Sequence, residues 1–175
     1  MYTSLDKTAN WIAMVLALAG GVVLLALVAL TCVSIIGRAM VPLDIGISGI
    51  RGIYDLTEIG MAAAIFAFLP WAQYTQAHAR VDLFARFIPK RSGALLDLVF
   101  NVAMFIVALV GTWRLYLGMS DKLSFGETTL IAQIPVWQGY AASLVGCAGF
   151  VIVAAFCVLR SARALAMPSA ENSNE

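Results

Sequence analysis

The residues best suited to chemistry lie in one polar stretch, QAHARVDLFARFIPKR, at positions 76–91. His78, Asp82 and Arg86 follow one another at four-residue steps, so a helix would present all three on one face. A histidine beside a carboxylate allows a proton relay or part of a metal site. Zinc takes four ligands, however, and this stretch offers one histidine and one carboxylate. The alternative is structural, with His78 fixing the turn that leads into a short helix.

The other side of the same helix is apolar. Five apolar side chains share it: Val81, Leu83, Phe84, Phe87 and Ile88. Pro89 then stops the helix, because proline lacks the amide hydrogen and clashes with the preceding turn. Arg80 projects beside the apolar side, so it must extend to the membrane surface or find a partner. The pattern predicts an amphipathic helix over residues 78–88 that lies in the membrane interface.

The composition indicates an integral membrane protein. Of the 175 residues, 62% are hydrophobic and 12% are charged, and a soluble domain of this size could not keep so much apolar surface from water. The net charge of +1 leaves no basic face for phosphates, so no nucleic-acid partner is expected. The three cysteines lie in apolar stretches without a CxxC pair: Cys32, Cys147 and Cys157. We interpret them as small buried hydrophobes.

The sequence lacks the motifs of enzymes and cofactor sites. It has no catalytic Ser/His/Asp set, no glycine-rich phosphate loop and no zinc-ligand spacing. Its one histidine cannot supply the pair that ligates haem across a helix bundle. A four-span membrane oxidoreductase would need such a pair, or paired cysteines in an outer loop. We therefore expect no enzyme activity, no cofactor and no metal site.

Four apolar segments are long enough to cross about 30 Å of hydrocarbon, which takes roughly 20 residues. They are residues 11–36, 53–74, 93–117 and 136–159. The first exceeds the roughly 7–15-residue apolar core of a cleaved signal peptide, so we expect a retained helix. The sequence thus predicts one all-α integral membrane domain over residues 1–167. The polar tail at residues 168–175 is expected to be disordered.

The cations in the loops predict the orientation, since positive charge accumulates on the cytoplasmic side. Seven lie in the N-terminal segment, the 75–92 loop and the C-terminal segment: Lys7, Arg80, Arg86, Lys90, Arg91, Arg160 and Arg163. Three lie in the opposite loops: Arg38, Arg51 and Lys122. Both termini are therefore predicted to be cytoplasmic. The apolar loops at residues 38–52 and 123–137 then lie at the outer interface, where Pro135 opens the fourth span.

Ionisable residues near the outer ends of the spans have two interpretations. Arg51, Asp55 and Glu58 are spaced i, i+4, i+7, so they would share one stripe of a helix. Arg38, at the outer end of the first span, could reach the same stripe. A structural clamp between Glu58 and either arginine is favoured over an ion-coupling site, because a coupling carboxylate would sit at mid-membrane beside broken helices.

Polar and small residues within the spans predict contacts between helices. Asp97 and Asn101 are one turn apart and should face another helix rather than lipid. Small residues recur at four-residue steps in two spans: Ala13, Ala17 and Gly21, then Gly139, Ser143 and Cys147. Such steps allow close helix packing, either within a bundle or against a partner. The span centres are otherwise almost purely apolar, which indicates a membrane scaffold rather than a channel or transporter acting alone.

Several short motifs, taken in their order and spacing, resemble those of a known family. The first span ends in SIIGR with Arg38. The second contains TEIGMAAAIFAFLPWAQ with Glu58 and leads into HARVDLF. The fourth opens on IPVW, with Pro135 and Trp137. Over nearly the whole chain the pattern resembles the DctQ-type small membrane subunit, or Q subunit, of tripartite ATP-independent periplasmic (TRAP) transporters.

The resemblance implies a function and partners. Such a subunit pairs with a large permease subunit (M-type) that holds the substrate and sodium sites, and a periplasmic substrate-binding protein (P-type) delivers a carboxylate-bearing organic anion. The implied setting is the bacterial inner membrane, where this chain, surrounded by membrane lipids, would widen the fixed scaffold of an elevator-type symporter. The candidate structural or interface residues are Arg38, Glu58, His78, Arg80, Asp82, Arg86, Pro135 and Trp137. The alternative is a stand-alone homodimeric transporter, proton-coupled through Glu58.

Overall fold

The computed structural model describes residues 2–41, 49–76 and 90–166. The helices are α1 (Tyr2–Met40), α2 (Ile53–Tyr74), α3 (Lys90–Phe125) and α4 (Trp137–Ala166). Each contains a segment long and apolar enough to cross a membrane. Within these ranges the strand-type pairing consists of one bridge, between Thr128 and Pro135. The predicted fold class, all-α with four transmembrane helices, is therefore confirmed, while the cytoplasmic placement of both termini stays a prediction.

The helices α1, α3 and α4 are longer than the predicted spans, and α1 and α3 exceed them most. α1 has 39 residues and α3 has 36, so they measure about 58 Å and about 54 Å at 1.5 Å per residue. The hydrocarbon core is only about 30 Å thick, so both helices must extend beyond it or cross it at a tilt. α2, with 22 residues, is about as long as the hydrocarbon core is thick.

α4 is the central helix of the bundle. It packs along both α2 and α3, whereas α1 packs mainly on α2 and less on α4. Half of the most apolar window of α4 is buried, compared with 11% for α3. The buried face of α4 takes part in two apolar clusters: Ala13, Val153 and Cys157 in one, and Ala108, Phe150 and Ala154 in the other. Apolar packing therefore fills the middle of the bundle.

The side of α1 that packs on the bundle follows a seven-residue repeat. The side of α1 that meets the bundle carries Ala13, Gly20, Leu27 and Ser34, all of them buried. A Cβ atom on Gly20 would lie 3.1 Å from the Cβ of Ala67, whereas one on Gly21 would meet nothing within 4 Å. Of the predicted small-residue stripe, Ala13 packs within the bundle and Gly21 does not, while packing of Gly21 against a partner stays a prediction. Four-residue steps drift by about 40° around a helix, while seven-residue steps drift by only about 20°, so only the latter stay on one partner over a long helix.

The contact between α2 and α4 is a close approach of two backbones. Gly139, Ser143 and Cys147 are all buried, so the small residues predicted for this helix do face a neighbour. The tightest point is Gly146, where a Cβ atom would lie 2.6 Å from the carbonyl carbon of Phe66. Only glycine permits this approach, because no side chain could move aside to relieve a clash with main-chain atoms.

The two ends of the bundle differ in the segments they carry. We call the end with the start of α1 and the end of α4 the terminal end. There, the Tyr74 hydroxyl donates a hydrogen bond to Asp6 (3.1 Å), and the Arg160 guanidinium lies 5.8 Å from the centre of the Tyr74 ring. These contacts tie α1, α2 and α4 together. We call the opposite end, where α2 and α4 begin, the loop end.

Candidate functional site

A groove opens at the loop end between α2, α3 and α4. It has a volume of about 270 Å³. Its walls are Glu58, Ile59, Ala62, Phe66, Leu115, Val136, Gly139, Tyr140 and Ser143. Glu58 and Phe66 are eight residues apart on α2, so the groove follows that helix for about 12 Å towards the middle of the bundle.

The groove exists because α2 and α3 both pack on α4 at a level where the side chains between them are small. Ala62 belongs to α2, and Gly139 and Ser143 belong to α4, so none of them fills the space. Tyr140 is held to one side, with its ring against α3 at Gly118, where a Cβ atom would lie 2.8 Å from the ring. Sequence reasoning did not predict the groove, because it depends on which helix faces meet.

Glu58 is the one acidic residue among the groove walls. It is exposed, and no hydrogen bond or ion pair joins it to another residue in the described ranges, where the ion pair found is Lys122–Glu127. A carboxylate within a spanning segment is costly unless it is paired or wet. Among the described residues, Glu58 therefore presents a carboxylate without a partner at the rim of an apolar groove.

The clamp predicted between Glu58 and Arg38 or Arg51 is not formed. Leu27 packs against Gly60, so Arg38, eleven residues further along α1, lies about 16 Å beyond that level, and Glu58 only about 3 Å beyond it. This axial gap exceeds the reach of an arginine side chain. Arg51 precedes α2 and stands before Gly52, whose φ of 75° is left-handed, so the predicted helical stripe does not include it.

Arg38 instead contacts an aromatic residue. Its Nη1 donates a hydrogen bond to the Tyr54 hydroxyl (3.2 Å), and its guanidinium lies 5.3 Å from the centre of the same ring. Tyr54, one turn before Glu58, is therefore the partner of Arg38 in the place predicted for Glu58. This contact joins the end of α1 to the start of α2.

Asp55 bonds to the hairpin of residues 127–136 and holds it against the start of α2. Its Oδ2 accepts hydrogen bonds from the backbone amides of Ile131 (2.9 Å) and Ala132 (2.8 Å). The hairpin itself is closed by the Val136 amide, which donates to the Glu127 carbonyl (3.0 Å). Leu130, at the tip, is 96% exposed. The sequence did not predict that Asp55 binds this hairpin, because its partners are backbone groups 76 and 77 residues away.

The two candidates of the IPVW motif lie where this hairpin meets α4. Pro135 pairs with Thr128 in the hairpin bridge, and Trp137 is the first residue of α4 and is partly buried. The prediction that Pro135 opens the fourth span agrees with a helix that begins two residues later. Gln138 and Gly139 then start the helix with turn-type bonds from their amides to the carbonyls of Pro135 and Val136.

At the terminal end, three buried polar side chains join α2, α3 and α4. Gln73 Nε2 donates to Asn101 Oδ1 (2.8 Å), and Asn101 Nδ2 donates to Ser161 Oγ (2.7 Å). The prediction that Asn101 faces another helix is confirmed. The same prediction for Asp97 is wrong, because its side chain is exposed while its carbonyl accepts a second bond from Asn101. Gln73 was not singled out from the sequence, where a glutamine close to a helix end gives no signal.

Four candidate residues lie outside the described ranges, namely His78, Arg80, Asp82 and Arg86. The amphipathic helix predicted over residues 78–88 also lies outside the described ranges, so it stays a prediction. Among the residues that the structure does describe, no cluster of three or more histidine, cysteine, aspartate or glutamate side chains is placed to hold a metal ion.

A family model described as the DctQ component of tripartite ATP-independent periplasmic transporters matches residues 27–166. That range runs from the middle of α1 to the end of α4, so it includes the groove, the hairpin and the buried polar side chains. No curated protein and no solved structure matches the chain. The chain belongs to the DctQ family, which is a family of small permease subunits of TRAP transporters and not a family of enzymes.

Proposed function

We propose that this chain is the fixed scaffold partner of a large permease subunit that carries the substrate and sodium sites. A periplasmic binding protein delivers an organic anion of the carboxylate class to the pair, and the sodium gradient drives its import across the bacterial inner membrane. The family match supports the place of the chain in such a tripartite system. The remaining support comes from the surface and the interior of the bundle.

The observation that carries the proposal is the exposed apolar surface of α3. Only 11% of its most apolar window is buried. Many of its large apolar side chains are exposed, among them Leu95, Val99, Phe100, Ile106, Val107, Val110 and Trp113. Since α3 packs mainly on α4 and reaches α2 through the Asn101–Gln73 hydrogen bond, much of its remaining circumference in the described residues is open to lipid or another membrane protein. A bundle whose interior is filled by apolar packing suits a scaffold better than a solute pathway.

Purification from native membranes in mild detergent tests the proposal. We expect a large multi-span protein to elute with this chain in a fixed ratio, identified by mass spectrometry. In proteoliposomes, uptake of an organic anion should need both membrane proteins, the binding protein and an inward sodium gradient. If the chain leaves the membrane only as itself under conditions that preserve other complexes, the scaffold proposal is wrong.

A second candidate function is a homodimeric, proton-coupled transporter, and it is favoured by one observation. Glu58 lines a groove and is without a partner in the described ranges. This hypothesis requires proton-linked flux from the purified chain alone in liposomes. The rim position of Glu58, five residues after the start of α2, argues against it, because a coupling carboxylate serves best near mid-membrane.

A further inference from the structure

The Glu58 groove combines features that call for a particular occupant. Its walls are apolar apart from Glu58 and the hydroxyls of Tyr140 and Ser143. The Ser143 hydroxyl already donates to the Gly139 carbonyl within α4 (2.8 Å). The carboxylate of Glu58 therefore remains as the charged group that the groove offers. A complementary occupant has an apolar stem that lies along the groove and a cationic tip that reaches the rim.

Lysine and arginine side chains have this chemistry, because their methylene stems lie on apolar surface while the charged head finds a partner. The groove, with a volume of about 270 Å³, is too small for a helix, which is about 10–12 Å in diameter with its side chains. A helix lying across it could, however, insert one or two side chains. The small floor residues Ala62 and Gly139 let such a helix approach closely.

We propose that a membrane helix of the large permease subunit lies over this groove and inserts a lysine or arginine that pairs with Glu58. This inference rests on the proposed function and names the contact through which the two subunits recognise each other. The pair would lie near the loop end, where Met61 and Ile65 of α2 are also exposed and extend the apolar contact surface beside the groove.

Two other sources could supply a cation. Arg114 is adjacent to the wall residue Leu115 on α3 and is exposed, yet it makes no ion pair with Glu58. A phospholipid with an ammonium head group has the same charge as the proposed side chain. A lipid would leave the strength of subunit assembly largely independent of charge at position 58, so assembly itself distinguishes the two sources.

Crosslinking in the intact transporter tests the contact directly. A photoreactive benzoylphenylalanine replaces Ala62 in the groove, and as a control it replaces Leu25 of α1, which is 73% exposed and belongs neither to the groove nor to α3. We expect the groove position to crosslink to a peptide of the large subunit that contains a lysine or arginine. Crosslinks to lipid alone, in a complex that stays assembled, would overturn the inference and leave the proposed function intact.

Charge exchange then tests the pairing. Glu58→Lys should reduce recovery of the large subunit by roughly thirtyfold or more, as expected when one partner of a buried charge pair is lost. Changing the crosslinked basic residue to glutamate should restore recovery. Arg114→Gln, with the same gel-filtration profile as the unmodified chain, should leave recovery unchanged. If Glu58→Gln and Glu58→Lys both assemble normally, the inference is wrong. If the unmodified chain recovers no large subunit, the proposed function itself fails.

Discussion

Helices α2 and α3 meet over α4 in opposite ways at the two ends of the bundle. At the terminal end they are joined by buried side chains, with Asn101 bonded to both Gln73 and Ser161. At the loop end they leave a groove with the carboxylate of Glu58 at its rim, which has no partner in the part of the chain that the structure describes. At the first end, the buried polar side chains bond to one another. The second leaves an unmatched charge, which is the condition expected of a surface that another molecule covers.

Polar residues in a membrane helix can therefore have two different roles. A neutral amide with partners on two helices fixes which faces of the helices meet. A charged group without a partner inside its own chain contributes to the affinity for a second molecule that covers it. Since both kinds look alike in a list of polar residues, only the distances between side chains separate them.

The largest effect is expected at the point between the two ends, where Gly146 touches the backbone of Phe66. Gly146→Leu should lower the free energy of unfolding by about 3 kcal/mol, because overpacking against main-chain atoms cannot be relieved by a rotamer change. The measurement is thermal unfolding of the purified chain in mild detergent, followed by circular dichroism. Gly111→Leu adds the same side chain in open space and should change stability by less than about 0.5 kcal/mol. Equal melting of the two variants would contradict the close approach of α2 and α4.

The next effect is expected at the terminal end. Asn101→Leu should lower the free energy of unfolding by about 1–2 kcal/mol, because it leaves the buried amide of Gln73 without its acceptor. The double variant Gln73→Leu with Asn101→Leu should cost less than the sum of the two single changes, since it removes both members of the pair. Denaturation of all three variants in one detergent supplies the cycle. Strict additivity would mean that the two amides do not interact.

A smaller and more local effect is expected at the hairpin of the loop end. Asp55→Ala removes the acceptor for the amides of Ile131 and Ala132, so hydrogen exchange at those amides should become faster while exchange in α4 stays unchanged. Asp55→Asn keeps one acceptor oxygen, so its exchange rates at these two amides should lie between those of the unmodified chain and those of Asp55→Ala. Asp121→Ala, at an exposed acid near the end of α3, serves as the control. Unchanged exchange in Asp55→Ala would show that the hairpin is held without the carboxylate.

The sequence predicted the helices well because their signal is local. Apolar runs of sufficient length define membrane spans whatever their neighbours are, and all four appear as helices. The burial of Asn101 could be predicted for the same reason, since a polar side chain in a span seeks a helix partner. The small residues Gly139 and Ser143 of α4 also met the neighbour that they were expected to meet.

The errors arose where the outcome depends on how two helices are placed along and around each other. The axial offset between α1 and α2 puts Arg38 beside Tyr54 rather than Glu58, and no spacing within either helix encodes that offset. The choice of Gly20 over Gly21 depends on the crossing of long helices, which follows a seven-residue repeat. Asp55 and its hairpin amides are too far apart in the chain for any local pattern to join them.

The smallest effect is expected at the contact between Arg38 and Tyr54. Tyr54→Phe removes the hydrogen bond but keeps the ring beneath the guanidinium, so it should change stability less than Arg38→Gln, which removes both and should cost about 0.5–1 kcal/mol. Thermal unfolding of the isolated chain ranks the two variants. Recovery of the large subunit adds the comparison with the groove, because an intrachain contact should affect assembly far less than Glu58→Lys does. If Arg38→Gln abolishes assembly while the isolated chain melts normally, Arg38 is a partner contact, and the loop end binds its partner through two charges of opposite sign.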